Sequence, residues 1–128
     1  MMRKAIQTDG APKAIGPYSQ AVQVPGGRWT FLSGQIPLDP ATGQVVEGDI
    51  SIQTARVMEN LKAVLAAAGL TFAQVVRCTL YLTDLNDFSK VNETYGKYFE
   101  APHPARATIQ VAGLPRGAKI EIDAIAVS

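Results

Sequence analysis

Lys119-Ile120-Glu121-Ile122-Asp123-Ala124-Ile125-Ala126-Val127 reads as a strand with two unlike faces. Successive side chains of a strand point to opposite sides, so Ile120, Ile122, Ala124 and Ala126 share one face. Glu121, Asp123, Ile125 and Val127 share the other, which is itself partly apolar. The first face belongs to a core, and the second calls for a cover of its own.

Working outward, Gly113-Leu114-Pro115-Arg116-Gly117 is a turn, and Ala105 to Val111 is the strand before it. A helix is expected from about Phe88 to Phe99, capped by Asn86 or Asp87 and ended by Pro102 and Pro104. Phe88, Val91, Tyr95 and Phe99 form its apolar side. Gly96 inside it costs about 1 kcal/mol relative to Ala, which predicts a close neighbour there. Val75 to Leu82 is a β-branched, apolar strand. A longer helix spans about Ile50 to Ala68, with Asp49 or Ser51 as cap and Gly69 as stop. Its apolar face is read as Ala55, Met58, Leu61, Leu65 and Ala68. Two short strands, Ala21 to Val24 and Trp29 to Ser33, flank the turn Pro25-Gly26-Gly27. Gly34 follows as a bulge or a close backbone approach.

Strands, helix, strand, helix, strands: the order predicts one α+β domain over residues 1–128, with both helices on one face of a sheet. Two helices cover only one sheet face, and the partly apolar remainder predicts self-association.

A chain of 128 residues, 47% hydrophobic, holds a real core. Twelve Lys and Arg against eleven Asp and Glu give a formal charge of +1, without a basic run to grip a phosphate backbone. Apolar stretches fall well short of the roughly 20 residues of a membrane span. Met1 to Gly10 lacks the apolar run of a secretory signal. Cys78 is the only cysteine and His103 the only histidine, which rules out an internal disulfide framework and a Cys- or His-rich metal site. A reducing, cytoplasmic setting is expected.

Arg106, in Pro104-Ala105-Arg106-Ala107-Thr108-Ile109, and Glu121 are charges set among apolar residues. A planar guanidinium donates two parallel hydrogen bonds to a carboxylate, and a carboxyl group moves protons or activates water. The pair suggests a pocket for a small carboxylic acid. Taken singly, the default for Arg106 is a structural ion pair and for Glu121 an exposed strand carboxylate. Tyr18, in Ile15-Gly16-Pro17-Tyr18-Ser19-Gln20, either packs its ring or turns its hydroxyl to a ligand. In Ser33-Gly34-Gln35, Gly34 either forms a simple bulge or offers a backbone N–H to a ligand oxygen. Cys78 reads as a buried, inert thiol and His103 as a loop residue.

These motifs resemble the RidA (YjgF/YER057c/UK114) family nearly end to end. The likeness runs through Ile15–Gln20, Ser33-Gly34-Gln35-Ile36-Pro37, Asn60-Leu61-Lys62 and Ala67-Ala68-Gly69. It continues through Thr83-Asp84-Leu85, Asp87-Phe88, Val91-Asn92 and Tyr95, and closes with Pro104-Ala105-Arg106, Leu114-Pro115 and Ile120-Glu121-Ile122. The resemblance implies a chorismate-mutase-like α+β fold with a mixed sheet, assembled as a homotrimer with clefts between subunits. It implies a cofactor-free, metal-free deaminase that hydrolyses 2-iminopropanoate and 2-iminobutanoate to 2-keto acids and ammonia. Its partners would be those small acids, with no nucleic acid or membrane. Mapped onto this chain, Arg106 would clamp the carboxylate, Glu121 would activate water and Tyr18 would close the cleft. Ser33, Gly34, Asn92 and Thr108 would complete substrate binding, Gly34 and Thr108 through their main chains. Thr108 stands where some members have cysteine, which excludes thiol chemistry there. The segment from Tyr98 to Ala105 looks shorter than in some members, so a different cleft rim is expected. Two other readings are a non-enzymatic 2-keto-acid-binding module using the same cleft, and an endoribonuclease, against which the near-neutral charge argues.

Overall fold

The computed structural model describes residues 3–128; Met1 and Met2, where the stretch read as no secretory signal begins, lie outside the described residues. The elements run β1 (Lys4–Ile6), β2 (Ala21–Gln23), β3 (Trp29–Gln35), α1 (Ile50–Ala67), β4 (Val75–Leu82), α2 (Phe88–Gly96), β5 (Ala105–Gln110) and β6 (Ile120–Val127). Four strands form a mixed sheet in the order β3-β6-β4-β5. β6 runs antiparallel to both β3 and β4, whereas β5 lies parallel to β4. Parallel neighbours need a crossover, and α2 supplies it. The expected α+β architecture with a mixed sheet is present.

β1 and β2 pair separately. The sequence reading had no strand at β1, because three residues with two exposed side chains show no usable alternation. What holds this end is Arg3. Its guanidinium donates to the carbonyls of Phe72 (3.0 Å), Ala73, Glu100 (3.2 Å) and Pro102.

α1 begins where Asp49 accepts the Ile52 N–H at 3.0 Å. It ends with Leu70 N–H donating to Leu65 C=O (2.8 Å) and Gly69 N–H to Ala66 C=O (2.9 Å), Gly69 having φ +75°. This paired closure needs a left-handed residue, which glycine adopts without strain. The buried face is Ile50, Gln53, Thr54, Val57, Met58, Leu61 and Leu65. Of the expected face, Met58, Leu61 and Leu65 hold, Ala55 is only half-buried and Ala68 is exposed. Two polar residues displaced them because each is satisfied in place. Thr54 Oγ1 donates to Ile50 C=O (2.7 Å), and Gln53 Oε1 accepts from Lys119 N–H (3.0 Å).

α2 is shorter than expected. It stops at Gly96, and Lys97, Tyr98 and Phe99 continue in tighter turns that bond three residues back. Asp87 stands at its N-cap, one of the two expected positions, but its side chain makes no cap hydrogen bond. Asp84 instead accepts from Asn86 N–H (2.9 Å), closing a 3-10 turn over Leu85–Asp87 that leads straight into the helix. The neighbour predicted at Gly96 is Pro17, whose Cβ would stand 3.4 Å from a Cβ placed there.

Leu61, Leu65, Val91 and Tyr95 from the helices meet Ile120, Ile122, Ala124 and Leu80 of the sheet in one core. The opposite sheet face carries Phe31, Thr79, Tyr81, Ile109, Glu121, Asp123 and Ile125 by register. Among the described residues no helix covers it, and Phe31 is 71% and Trp29 57% exposed. Asp49→Ala should cost about 1 kcal/mol through loss of the α1 cap. Urea unfolding should show a lower midpoint with an unchanged slope.

Candidate functional site

Strand pairing decides where each candidate side chain goes. Cys78 pairs with Arg106 on one side and with Ala124 on the other; Leu80 pairs with Thr108 and with Ile122. Residues directly opposite share a sheet face. Arg106 and Thr108 therefore lie on the helix-covered face, at the edge strand β5, beneath α2.

Arg106 is half-buried and enclosed. Nη1 donates to Asn92 Oδ1 at 2.6 Å. Its guanidinium carbon lies 5.1 Å from the Tyr18 ring centroid, 5.5 Å from that of Phe88 and 5.3 Å from that of Tyr95. Burial lowers its proton affinity, and the groups that restore it are Tyr95, Tyr18 and Cys78, none of them a carboxylate. Among the described residues Arg106 has no salt-bridge partner, so the ion-pair default does not hold within one chain. A desolvated guanidinium whose fork is not filled by a carboxylate is a receptor for one.

The Ile15–Gln20 segment closes over this cation. Pro17 rests on Gly96, and a Cβ at Gly16 would lie 3.5 Å from both Arg106 Nη2 and Asn92 Nδ2. Ser19 fastens the segment to the start of β5, its N–H donating to Pro104 C=O (3.2 Å) and its hydroxyl to His103 C=O. Tyr18 lays its ring on the guanidinium, and its hydroxyl accepts from Ile15 N–H at 3.3 Å. Of the two readings of Tyr18, the ring does pack, but against a charge.

Thr108 Oγ1 is buried without a partner. Cys78 is buried, and desolvation pushes its thiol up to about 12, which makes it inert at neutral pH. His103 is half-buried, its proton affinity lowered by burial and by Arg3 and Arg106. Among the described residues no group of three His, Cys, Asp or Glu can hold a metal ion. A hollow of about 630 Å³ beside Arg3, Phe72 and Tyr98 lies away from these groups. Its arginine is already committed to four carbonyls.

Glu121 belongs to the other sheet face. It pairs with Tyr81 and lies against β3 where the register slips. From Leu32 to Gln35, three steps on β3 match two on β6, from Ala124 to Ile122. Gly34 sits in that bulge, and a Cβ there would fall 2.1 Å from Glu121 Oε2. Both sequence readings of Gly34, bulge and close approach, describe it. Ser33 is exposed beside it.

The candidates therefore form two groups. Arg106, Asn92, Tyr18 and Thr108 gather on the helix-covered face at β5. Glu121, Gly34 and Ser33 gather on the open side at β6 and β3. With β4 between β5 and β6, the two strands stand about 10 Å apart. One chain does not bring Arg106 and Glu121 together. Phe88 and Tyr95 were read only as an apolar helix stripe. The signal that marks them is the spacing Phe88, Asn92, Tyr95, four and three residues apart on one side of α2.

Gly34→Ala should displace the Glu121 carboxylate, because the far end of that side chain is what the new methyl meets. The expected outcome is loss of whatever chemistry Glu121 performs, with a melting temperature close to that of the unsubstituted protein.

Residues 8–128 match the model of the endoribonuclease L-PSP family. Protein DfrA of Myxococcus xanthus is 71% identical across 100% of this chain and 98% of its own. The 2-iminobutanoate/2-iminopropanoate deaminase of Mus musculus is 52% identical, covering 99% of this chain and 93% of that protein. Among solved structures, E. coli TdcF with bound serine superposes with a TM-score of 0.75 at 45% identity, covering 98% of each chain. The Arg106 and Glu121 motifs thus sit in a chain that belongs to the endoribonuclease L-PSP family, the RidA family that its sequence resembles.

Proposed function

We propose that this protein, as one domain over residues 1–128, hydrolyses 2-imino acids such as 2-iminopropanoate and 2-iminobutanoate to 2-keto acids and ammonia. The observation that carries this reading is Arg106, a desolvated guanidinium held by rings and an amide, with its carboxylate-binding fork unfilled. A relative named for this deamination at 52% identity supports it, as does a structural neighbour with serine bound, a ligand that also bears a carboxylate.

In this reading Arg106 anchors the substrate carboxylate, worth about 1.5–3 kcal/mol. Glu121 takes a proton from water as the water oxygen bonds to the imine carbon. The carbon–nitrogen π pair moves to nitrogen, which takes up a proton. The hydroxyl proton of the resulting carbinolamine then passes to nitrogen, through the Glu121 carboxyl group in this reading, as the carbon–nitrogen bond breaks, ammonia leaves and the carbonyl forms. Gly34 and Thr108 offer main-chain groups, Asn92 steadies the guanidinium and Tyr18 covers it. Imines hydrolyse in water unaided, so general acid–base help of about 10²- to 10⁴-fold is enough.

Arg106 and Glu121 point to opposite faces of one sheet, so the working site combines Arg106 of one subunit with Glu121 of another. A homotrimer would provide this by setting the β5 edge of one subunit, where Arg106 stands, against the open face of the next. A binder of 2-keto acids would need Arg106 and not Glu121, which separates the two readings. An endoribonuclease would need a grip on phosphates that a formal charge of +1 supplies poorly.

With a threonine dehydratase generating the imine, the protein should speed keto-acid release. Arg106→Ala should lower kcat/KM by about 10- to 100-fold. Co-expressed Arg106→Ala and Glu121→Ala chains, each strongly impaired alone, should recover about a quarter of full activity, since one interface in four pairs an intact Arg106 with an intact Glu121. No recovery would place both groups in the same chain's site and overturn the shared cleft.

A further inference from the structure

Three aromatic rings surround the Arg106 guanidinium, and two of them come from α2. Phe88, Asn92 and Tyr95 follow one another by four and three residues, so one helix side delivers ring, amide and ring to the same cation. The guanidinium carbon stands 5.5 Å and 5.3 Å from the two centroids, within the range of an attraction to the ring quadrupole. Tyr95 is fully buried, and its hydroxyl faces the Cys78 thiol rather than the guanidinium. Its contact with Arg106 is made by the ring.

A carboxylate would hold a buried arginine more strongly, but it would fill the fork. A ring attracts the cation without taking up the in-plane N–H groups. Among the described residues only Asn92 does that, and only at Nη1. The arrangement fixes the side chain, offsets part of its desolvation and leaves donors open for an incoming anion.

We propose that Phe88 and Tyr95 are positioning residues that set the plane of the Arg106 guanidinium for carboxylate binding, Tyr95 through its ring rather than its hydroxyl. This rests on Arg106 being the carboxylate anchor. They touch the anchor and not the reacting atoms, so their loss weakens binding and spares the chemical step.

The test is calorimetric binding of 2-oxobutanoate beside steady-state kinetics with the imine. Phe88 is half-buried, so Phe88→Leu keeps the fold. It should raise both Kd and KM about tenfold and leave kcat within about threefold. Phe88→Tyr should restore both. Tyr95→Phe should match the unsubstituted protein in Kd and KM, because it keeps the ring that faces the cation. The Arg106 Nε–H proton signal should carry a ring-current shift that changes in Phe88→Leu. Folded Phe88→Leu protein with unchanged Kd and signal would overturn the proposal, as would a Tyr95→Phe protein with weakened binding. Failure of the unsubstituted protein to bind 2-oxobutanoate would instead sink the anchor reading, and Arg106→Ala is the control that tells the two apart.

Discussion

The pairing of Cys78 with Arg106 on β5 and with Ala124 on β6 fixes the face on which the guanidinium stands. Strand alternation then leaves no choice for Glu121, three residues from Ala124, which must take the other side. The separation has a chemical benefit. Were the two on one face, they would pair, and an arginine–carboxylate pair within the chain would leave neither group free for a ligand. Kept apart by the sheet, each waits for a partner that the chain itself does not supply. A register slip of one residue on β6 would exchange its core and open faces and destroy the packing against the helices along with the separation.

Around that constraint, the rest of the Arg106 environment is built from groups that stabilise a cation without neutralising it. α2 brings rings and an amide. Gly96 lets Pro17 settle on the helix, and Pro17 in turn carries Tyr18 over the guanidinium. Ser19 then ties the same segment to the start of β5. A segment without regular secondary structure is thus held at both ends by contacts with the elements it covers. Among the described residues no helix is long and apolar enough to cross a membrane.

Much of this was legible in the sequence. Val75–Leu82 and the alternation of Ile120–Val127 gave their strands directly, because period two with β-branched residues has few other readings. Gly34 and Gly96 announced close approaches, since glycine in a strand or helix interior carries a cost that something must offset. What failed were places where polar atoms find local partners. Gln53 and Thr54 entered the core of α1 because each has a hydrogen bond waiting. Asp87 holds the N-cap of α2 without a side-chain bond, because the chain arrives from a 3-10 turn that Asp84 already caps. The division of the site between two faces was implicit in the alternation around Glu121. Placing Arg106 on the opposite face needed the β4–β5 register, and single-strand periodicity does not contain it.

The open face joins assembly to chemistry. Fully burying a ring such as Phe31 stabilises by about 1.5–3 kcal/mol, and Trp29, Phe31 and Ile109 are all exposed there. Glu121 shares their face, so any association that buries them also draws that carboxylate out of water. Its neighbour Asp123 is already served, accepting the Tyr81 hydroxyl at 2.9 Å. Glu121 has no such donor among the described residues, only Gly34 pressed against its carboxyl group. In the proposed assembly apolar burial would drive the joining of surfaces, and the carboxylate carried along would need a polar partner on arrival. A water aimed at a substrate on the neighbouring Arg106 would meet that need, so that one contact would serve both assembly and site.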